Sequence, residues 1–155
     1  MQVVELRNPA ERARACGTLL RSLPEWFGLE QSIETYEHSV RDLPTFALRD
    51  GKGDVLAFLT LKPHNEFSAE ILVMAVRHDL HRKGLGRQLV AAAEDHVRAR
   101  GLEYLQVKTL GRSRPSPGYA ATRSFYRACG FRPLEEIHGL WEGDNPCLVL
   151  VKKVS

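Results

Sequence analysis

The chain has 155 residues, 43% of them hydrophobic and 26% charged, with a formal net charge of +3. This length and composition are typical of one globular domain, here residues 1–155, and they exclude a disordered chain. No apolar run reaches the roughly 20 residues of a membrane span, and the first residues lack a secretory signal pattern, so we expect a cytoplasmic protein without a membrane partner.

The first predicted elements are a short strand and two helices. Asn8, Pro9 and Glu11 form the N-cap, first-turn and capping-box pattern of a helix start, and the helix is expected to end at Pro24. A second helix follows, because apolar residues recur at alternating steps of four and three, namely at Leu29, Ile33, Tyr36, Val40 and Leu43.

Strand signals dominate the next part of the chain. The segments TFALR, VLAFLTL and AEILVMAV are short, rich in strand-forming residues and separated by turns, which predicts consecutive antiparallel strands. A helix from Leu85 to Gly101, the strand YLQVKTL, a short helix ending at Gly130, and the strands FRPLEEI and CLVLVKK complete the chain. This order predicts an α/β (α+β) fold, a mixed sheet of about seven strands with about four helices.

The sequence HRKGLGRQL, residues 81–89, places a basic, glycine-containing turn between a strand and a helix. A helix N-terminus attracts anions, and Gly84 and Gly86 would let a phosphate approach the backbone. Arg82, Lys83 and Arg87 add charged donors, so the segment predicts a pyrophosphate site. It matches neither the Walker A pattern nor the dinucleotide fingerprint GxGxxG. An ordinary turn with solvated bases is the alternative.

Two landmarks together resemble the GCN5-related N-acetyltransferase (GNAT) superfamily. AEILVMAV followed by RHDLHRKGLG and a helix resembles its motif A, and TRSFYRACGF resembles its helix ending in Y-x-x-x-G-F. Element order and length also match, so the resemblance implies the GNAT acyl-CoA N-acyltransferase fold. Three places depart from it: Arg77-His78 replaces the common residue plus proline after the strand, His81 stands where Gln or Arg is usual, and Tyr119 replaces a frequent asparagine.

The resemblance implies transfer of an acetyl group from acetyl-CoA to a primary amine of a small molecule or peptide, by direct attack in a ternary complex and without a metal. Backbone at the end of the AEILVMAV strand would hold pantetheine and the oxyanion, and the basic turn would hold the pyrophosphate. The implied cofactor-binding residues are Met74, Ala75, Val76, His81, Arg82, Lys83, Gly84, Leu85, Gly86 and Arg87.

Two catalytic residues follow from the same resemblance. Glu70 stands where related histone acetyltransferases carry their catalytic glutamate, and it would take the proton of the amine. An exposed carboxylate at a strand end is the alternative, and Glu66 is the second candidate for the base. Tyr126 stands at the tyrosine position of the superfamily and would protonate the leaving thiolate, unless it is only a core phenol packed beside Phe125 and Phe131.

The acceptor site implied by the resemblance lies between the turn joining the first two helices and the loop joining the last two strands. These segments contain Trp26 and Trp141, and Glu66 would suit a cationic substrate, so we predict all three as substrate-binding residues; packing tryptophans are the alternative. Homodimers occur in this superfamily, which leaves a homodimer open as the assembly.

Other function classes have weaker support. A degenerate GNAT domain that senses acyl-CoA remains the alternative to an enzyme. We expect no nucleic-acid partner, because the bases occupy a single turn without interleaved aromatic residues. The histidines match no zinc spacing. Cys16, Cys129 and Cys147 form no CxxC pair and are predicted to be small core residues, with a reactive thiol as the alternative.

Overall fold

The computed structural model describes all 155 residues and contains seven strands and four α-helices. A 3₁₀ turn at His78–Leu80 precedes the third helix and was not predicted. The elements in chain order are β1 (Val4–Leu6), α1 (Pro9–Arg21), α2 (Glu30–Val40), β2 (Thr45–Arg49), β3 (Val55–Pro63), β4 (Ser68–Val76), α3 (Leu85–Ala99), β5 (Tyr104–Leu110), α4 (Pro117–Ala128), β6 (Arg132–Ile137) and β7 (Cys147–Lys153).

The strands form one mixed sheet in the order β1-β2-β3-β4-β5-β7-β6. β2 is antiparallel to β1 and β3, and β7 is antiparallel to β5 and β6. β4 and β5 are parallel, and their ladder pairs residues 68–71 with residues 104–107. The predicted α/β class, mixed sheet and element order are therefore confirmed.

Contacts group the chain into two compact units. Residues 1–62 and 72–96 form one unit, and residues 63–71 and 97–155 form the other. The core of the first unit consists of apolar residues from β1, α1, α2 and the strands β2 to β4, with Cys16, Leu20, Val40, Ala47 and Phe58 fully buried. The single domain over residues 1–155 stays a prediction.

Helix α1 starts where the sequence predicted, but only half of the capping box forms. The Asn8 side chain accepts a hydrogen bond from the Glu11 main-chain N–H at 3.0 Å. The Glu11 carboxylate does not return this bond; it accepts one from Arg49 at 2.9 Å. The ion pair with β2 therefore replaces the second half of the local cap.

In the second unit, helix α4 ends in a Schellman motif that explains the pattern Y-x-x-x-G-F. Gly130 has a φ of 98°, which favours glycine, and its N–H donates to the Arg127 carbonyl at 3.0 Å. The Phe131 N–H donates to the Tyr126 carbonyl at 3.0 Å, and the two rings are 5.7 Å apart. The motif therefore fixes the position of Tyr126 at the end of the helix.

Two of the three cysteines are core residues. Cys16 and Cys147 are fully buried, Cys129 is half-buried, and all three are free thiols. Burial raises the pKa of Cys16 to about 12 and also raises the pKa of Cys147. These two thiols therefore stay protonated at neutral pH. No helix combines the length and the hydropathy needed to cross a membrane.

Candidate functional site

The turn before α3 leaves its main-chain N–H groups unpaired. Arg82 has a φ of 64° and Gly84 a φ of 84°, so the chain takes two left-handed residues before α3 begins at Leu85. No N–H group of residues 82–87 donates a hydrogen bond within the chain. A Cβ built on Gly84 would meet no atom within 4 Å. The turn therefore offers several N–H donors at a helix N-terminus, an arrangement that suits an anion.

Basic side chains surround these donors. Arg82, Lys83 and Arg87 are exposed and form no ion pair within the chain, while Leu85 is buried and anchors the first turn of α3. The positive end of the helix dipole and three cations thus act on the same turn. Electrostatically, the segment fits the predicted pyrophosphate.

The His81 side chain contacts the main chain at the end of β4. Its Nε2 atom lies 2.8 Å from the carbonyl oxygen of Val76, the last residue of β4. The indole of Trp26 packs edge-on against the His81 ring, with ring centroids 5.6 Å apart, and lies 6.4 Å from the ring of His78. The structure thus brings Trp26, from the turn between α1 and α2, against the start of the basic turn.

The end of β4 leads directly into this turn. Ala75 is buried, whereas Met74 and Val76 are half-buried, which is the alternation of a strand. The Arg77 N–H donates to the Leu56 carbonyl at 2.9 Å and holds the chain beside β3. The residues predicted to hold pantetheine, Met74 to Val76, therefore lie on regular strand backbone.

Glu70, near the start of β4, is buried rather than exposed, with 5% of its surface accessible. Its Oε1 atom lies 2.7 Å from His64 Nε2 and accepts a hydrogen bond from Lys108 Nζ at 3.0 Å. Its Oε2 atom forms no hydrogen bond within the chain. The alternative of an exposed strand-end carboxylate is therefore wrong, and the arrangement leaves one carboxylate oxygen available to a ligand.

Glu66 takes no part in this cluster. It lies in the exposed turn between β3 and β4, where the Asn65 side chain accepts hydrogen bonds from the N–H groups of Phe67 and Ser68 at 2.8 and 3.0 Å. The His64 N–H donates to the Ser68 carbonyl at 3.0 Å, which closes the turn and holds His64 near Glu70. The contacts within this turn therefore do not favour Glu66 as the base.

Tyr126 is 5% exposed and lies in an aromatic cluster. Its ring centroid is 5.3 Å from that of Phe125 and 5.7 Å from that of Phe131, both at steep interplanar angles. These contacts fix the plane of the phenol ring. They are the contacts expected of a phenol that only packs in the core. The role of the hydroxyl as an acid stays a prediction.

The loop between β6 and β7 borders an open cleft of about 420 Å³. The half-buried Trp141 lies in this loop but does not line the cleft. Ser113 lines the cleft and donates a hydrogen bond to Glu136, which lowers the pKa of that carboxyl. The remaining lining residues are His138, Gly139, Gly143, Asp144, Asn145 and Pro146.

Arg114, in the loop after β5, and Arg123, in α4, already have partners within the chain. Arg123 donates to the Leu110 carbonyl at 2.7 Å, at the end of β5, and Arg114 donates to the Asn145 side chain. Arg112 is exposed and forms no such bond. No group of three or more His, Cys, Asp or Glu side chains is placed to hold a metal ion.

Sequence reasoning missed His64 and Lys108 as partners of Glu70. Lys108 follows the paired part of β5 and lies two residues beyond Gln106, the residue that pairs with Glu70. Alternate residues share one face of a strand, so the strand register places Lys108 on the Glu70 face. The only signal in the sequence was a lysine inside an otherwise uncharged strand.

The chain matches known proteins along most of its length. The acetyltransferase (GNAT) family model matches residues 10–131. A mycothiol acetyltransferase of Beutenbergia cavernae is 34% identical over 85 residues, which are 55% of this chain. That stretch spans only 27% of the length of this relative.

Solved structures share the fold. An aminoglycoside 6′-N-acetyltransferase complexed with coenzyme A superposes with a TM-score of 0.80 at 16% identity, covering 100% of this chain and 98% of that one. The ribosomal-protein-S18-alanine N-acetyltransferase from Escherichia coli superposes with a TM-score of 0.76 at 18% identity, covering 99% and 95%. At these identities the likeness concerns the fold alone.

Proposed function

This chain belongs to the acetyltransferase (GNAT) family, and from that premise we propose that it is an N-acetyltransferase that transfers an acetyl group from acetyl-CoA to a primary amine of a small molecule or peptide. The observation that carries the proposal is the buried Glu70 carboxylate with its unbonded Oε2 atom. A module that only sensed acyl-CoA would need the anion-binding turn but not a proton acceptor of this kind.

Donor binding uses the residues before and after the end of β4. Pantetheine lies along the backbone of Met74, Ala75 and Val76, where a main-chain N–H stabilises the oxyanion. The pyrophosphate lies on the unpaired N–H groups of the basic turn, with Arg82, Lys83 and Arg87 as charged donors. His81 acts through its contact with Val76 and orders the start of this turn.

The chemical step is a direct attack of the amine nitrogen on the thioester carbonyl carbon. An alkylammonium with a pKa near 10.4 must first lose a proton, which costs about 4 to 5 kcal/mol at neutral pH. Glu70 Oε2 takes that proton, the C–N bond forms, and the C–S bond breaks as the Tyr126 hydroxyl protonates the thiolate. The second proton of the attacking nitrogen then restores the Tyr126 phenol, and Glu70 releases its proton to solvent. The products are the acetylated amine and CoA.

The acceptor site uses the two tryptophan segments. Trp26, Glu66 and Trp141 are each proposed to contact the acceptor, the two indoles through apolar surface and the Glu66 carboxylate through charge. One relative is named a mycothiol acetyltransferase, and two fold neighbours are an aminoglycoside 6′-N-acetyltransferase and a ribosomal-protein-S18-alanine N-acetyltransferase. These names support an amine acceptor and leave its class open.

The function is tested by mixing the purified chain with acetyl-CoA and a panel of polyamines, aminoglycosides, amino acids and lysine peptides. Release of free thiol with at least one amine, together with the acetylated product by mass spectrometry, is the expected result. Tight binding of CoA without turnover of any amine would instead favour the acyl-CoA sensor.

Arg82→Ala is expected to raise the dissociation constant for CoA about tenfold, with a smaller effect on kcat. The reason is the loss of one charge-assisted hydrogen bond to the pyrophosphate, about 1.5 kcal/mol. Isothermal titration calorimetry with CoA measures the change. Arg14→Ala, which removes an exposed arginine from α1, is the matched control. An unchanged dissociation constant in Arg82→Ala would contradict the pyrophosphate assignment.

A further inference from the structure

The hydrogen bonds of Glu70 are distributed unequally between its two carboxylate oxygens. Both His64 and Lys108 contact Oε1, at 2.7 and 3.0 Å, and neither contacts Oε2. A freely rotating carboxylate would exchange its two oxygens. Two partners on one oxygen fix the rotation of the group and direct the other oxygen to a defined place.

Lys108 is anchored by the sheet rather than by a flexible loop. It lies on β5, immediately after Val107, which pairs with Ile71 of β4. About 29% of its side chain is exposed, against 7% for Glu70. The ion pair thus joins two hydrogen-bonded strands of the same unit, and its geometry is set by strand register.

The cluster contains few charged or titratable groups. Those interacting with Glu70 are His64 from the turn before β4, Lys108 from β5 and Cys147 from β7. Burial raises the pKa of the Cys147 thiol, so this residue brings no negative charge to the cluster at neutral pH. Lys108 therefore supplies the ammonium group beside the carboxylate, and His64 supplies the second contact to Oε1.

We propose that Lys108 is a positioning residue for the acetyl transfer: it holds Glu70 Oε1, places a cation beside the carboxylate, and leaves Oε2 as the atom that accepts the proton of the amine. This inference rests on the proposed function, because it assigns to Lys108 a role in that reaction. Lys108 acts through Glu70 and does not touch the substrate.

Stability alone is a weak reason to keep such a pair. Removing charges from water costs several kcal/mol, and an apolar pair of similar size is often as stable as a buried ion pair. β5 otherwise contributes only uncharged residues to the core, with Leu105, Val107, Thr109 and Leu110 buried. A lysine at this position costs desolvation energy, which a role in positioning the base would explain.

The decisive experiment compares Lys108→Met, Lys108→Arg and the wild type in the pH dependence of kcat and kcat/KM with an amine found in the panel. Lys108→Met removes the cation at similar length. We expect the acid limb of the kcat/KM profile to move upward by about one pH unit or more, because a carboxylate without its cation ionises less readily. We expect plateau kcat to fall about tenfold, because the carboxylate is less well oriented.

Two controls separate positioning from a structural role. Lys108→Arg keeps the charge and is expected to keep the acid limb in place. Lys153→Met, at an exposed lysine of β7, should match the wild type in both profiles. If Lys108→Met lowers the melting temperature but leaves the acid limb and plateau kcat unchanged, the cluster is only structural and the inference is wrong.

A second measurement does not depend on activity. NMR of isotope-labelled glutamate carboxyl groups, with the Glu70 signal assigned from Glu70→Gln, follows the ionisation of this group directly. We expect its titration midpoint to rise in Lys108→Met. An unchanged midpoint overturns the inference even if the wild type acetylates amines, whereas a raised midpoint in a chain without turnover would show that the proposed function fails and the electrostatic coupling stands.

Discussion

Glu70→Gln is expected to lower kcat/KM by about 10²- to 10⁴-fold at neutral pH, which corresponds to about 3 to 5 kcal/mol in the barrier. The substituted amide has nearly the shape of the carboxylate but cannot accept the proton of the ammonium group. CoA binding should change little, because the pyrophosphate turn is formed by residues 82–87. Steady-state kinetics and calorimetry with CoA measure the two quantities separately.

The residual activity of Glu70→Gln should also depend on pH differently from the wild type. Without a base, the enzyme uses only amine molecules that are already deprotonated, and their fraction rises about tenfold per pH unit below the pKa of the amine. The residual rate should therefore keep rising toward high pH, where the wild type has reached its plateau. If the rate of Glu70→Gln reaches the same plateau as the wild type at high pH and kcat/KM falls only slightly, Glu70 is not the base.

Loss of the charge at Glu70 leaves Lys108 partly buried without its partner, which could lower stability and imitate a catalytic loss. The double variant Glu70→Gln/Lys108→Met removes both charges and is the control for this effect; it should regain thermal stability and remain inactive. Glu135→Gln changes an exposed carboxylate on β6 and should leave the rate unchanged. A larger loss in Glu66→Gln than in Glu70→Gln would transfer the base role to Glu66.

Local signals in the sequence were sufficient for most of the fold. The Asn8 cap, the helix ends at Gly101 and Gly130 and the alternation in the strands depend on neighbouring residues, so they can be interpreted without tertiary information. The second half of the capping box failed because Glu11 found a partner on another element, Arg49. A tertiary ion pair thus replaced a local bond that the pattern had predicted.

The candidate site was predictable in its motifs but not in its contacts. The basic turn and Glu70 stand in continuous segments with recognisable patterns. Lys108 is 38 residues from Glu70 and meets it only through the register of two parallel strands, which no local pattern determines. The packing of Trp26 against His81 likewise joins a turn and a loop that are 55 residues apart, so it became visible only in three dimensions.

Tyr126→Phe is expected to lower kcat by about 10²-fold or more while changing the dissociation constant of CoA by no more than about threefold. The thiolate leaves more easily when a positioned acid protonates it, and phenylalanine cannot supply a proton. The fold should be retained, because the ring contacts with Phe125 and Phe131 do not involve the hydroxyl, and the Schellman motif depends on main-chain atoms and Gly130.

The possible roles of the Tyr126 hydroxyl predict different effects of Tyr126→Phe on kcat and on the affinity for CoA. If the phenol only packs the core, Tyr126→Phe should leave kcat near the wild-type value. If the hydroxyl instead mainly binds CoA, kcat and the affinity for CoA should fall together. Tyr104→Phe removes an exposed phenol from β5 and controls for the loss of a hydroxyl in general. Only a fall in kcat confined to Tyr126→Phe, measured at saturating acetyl-CoA, is consistent with a proton donor, because the loss then arises after the donor has bound.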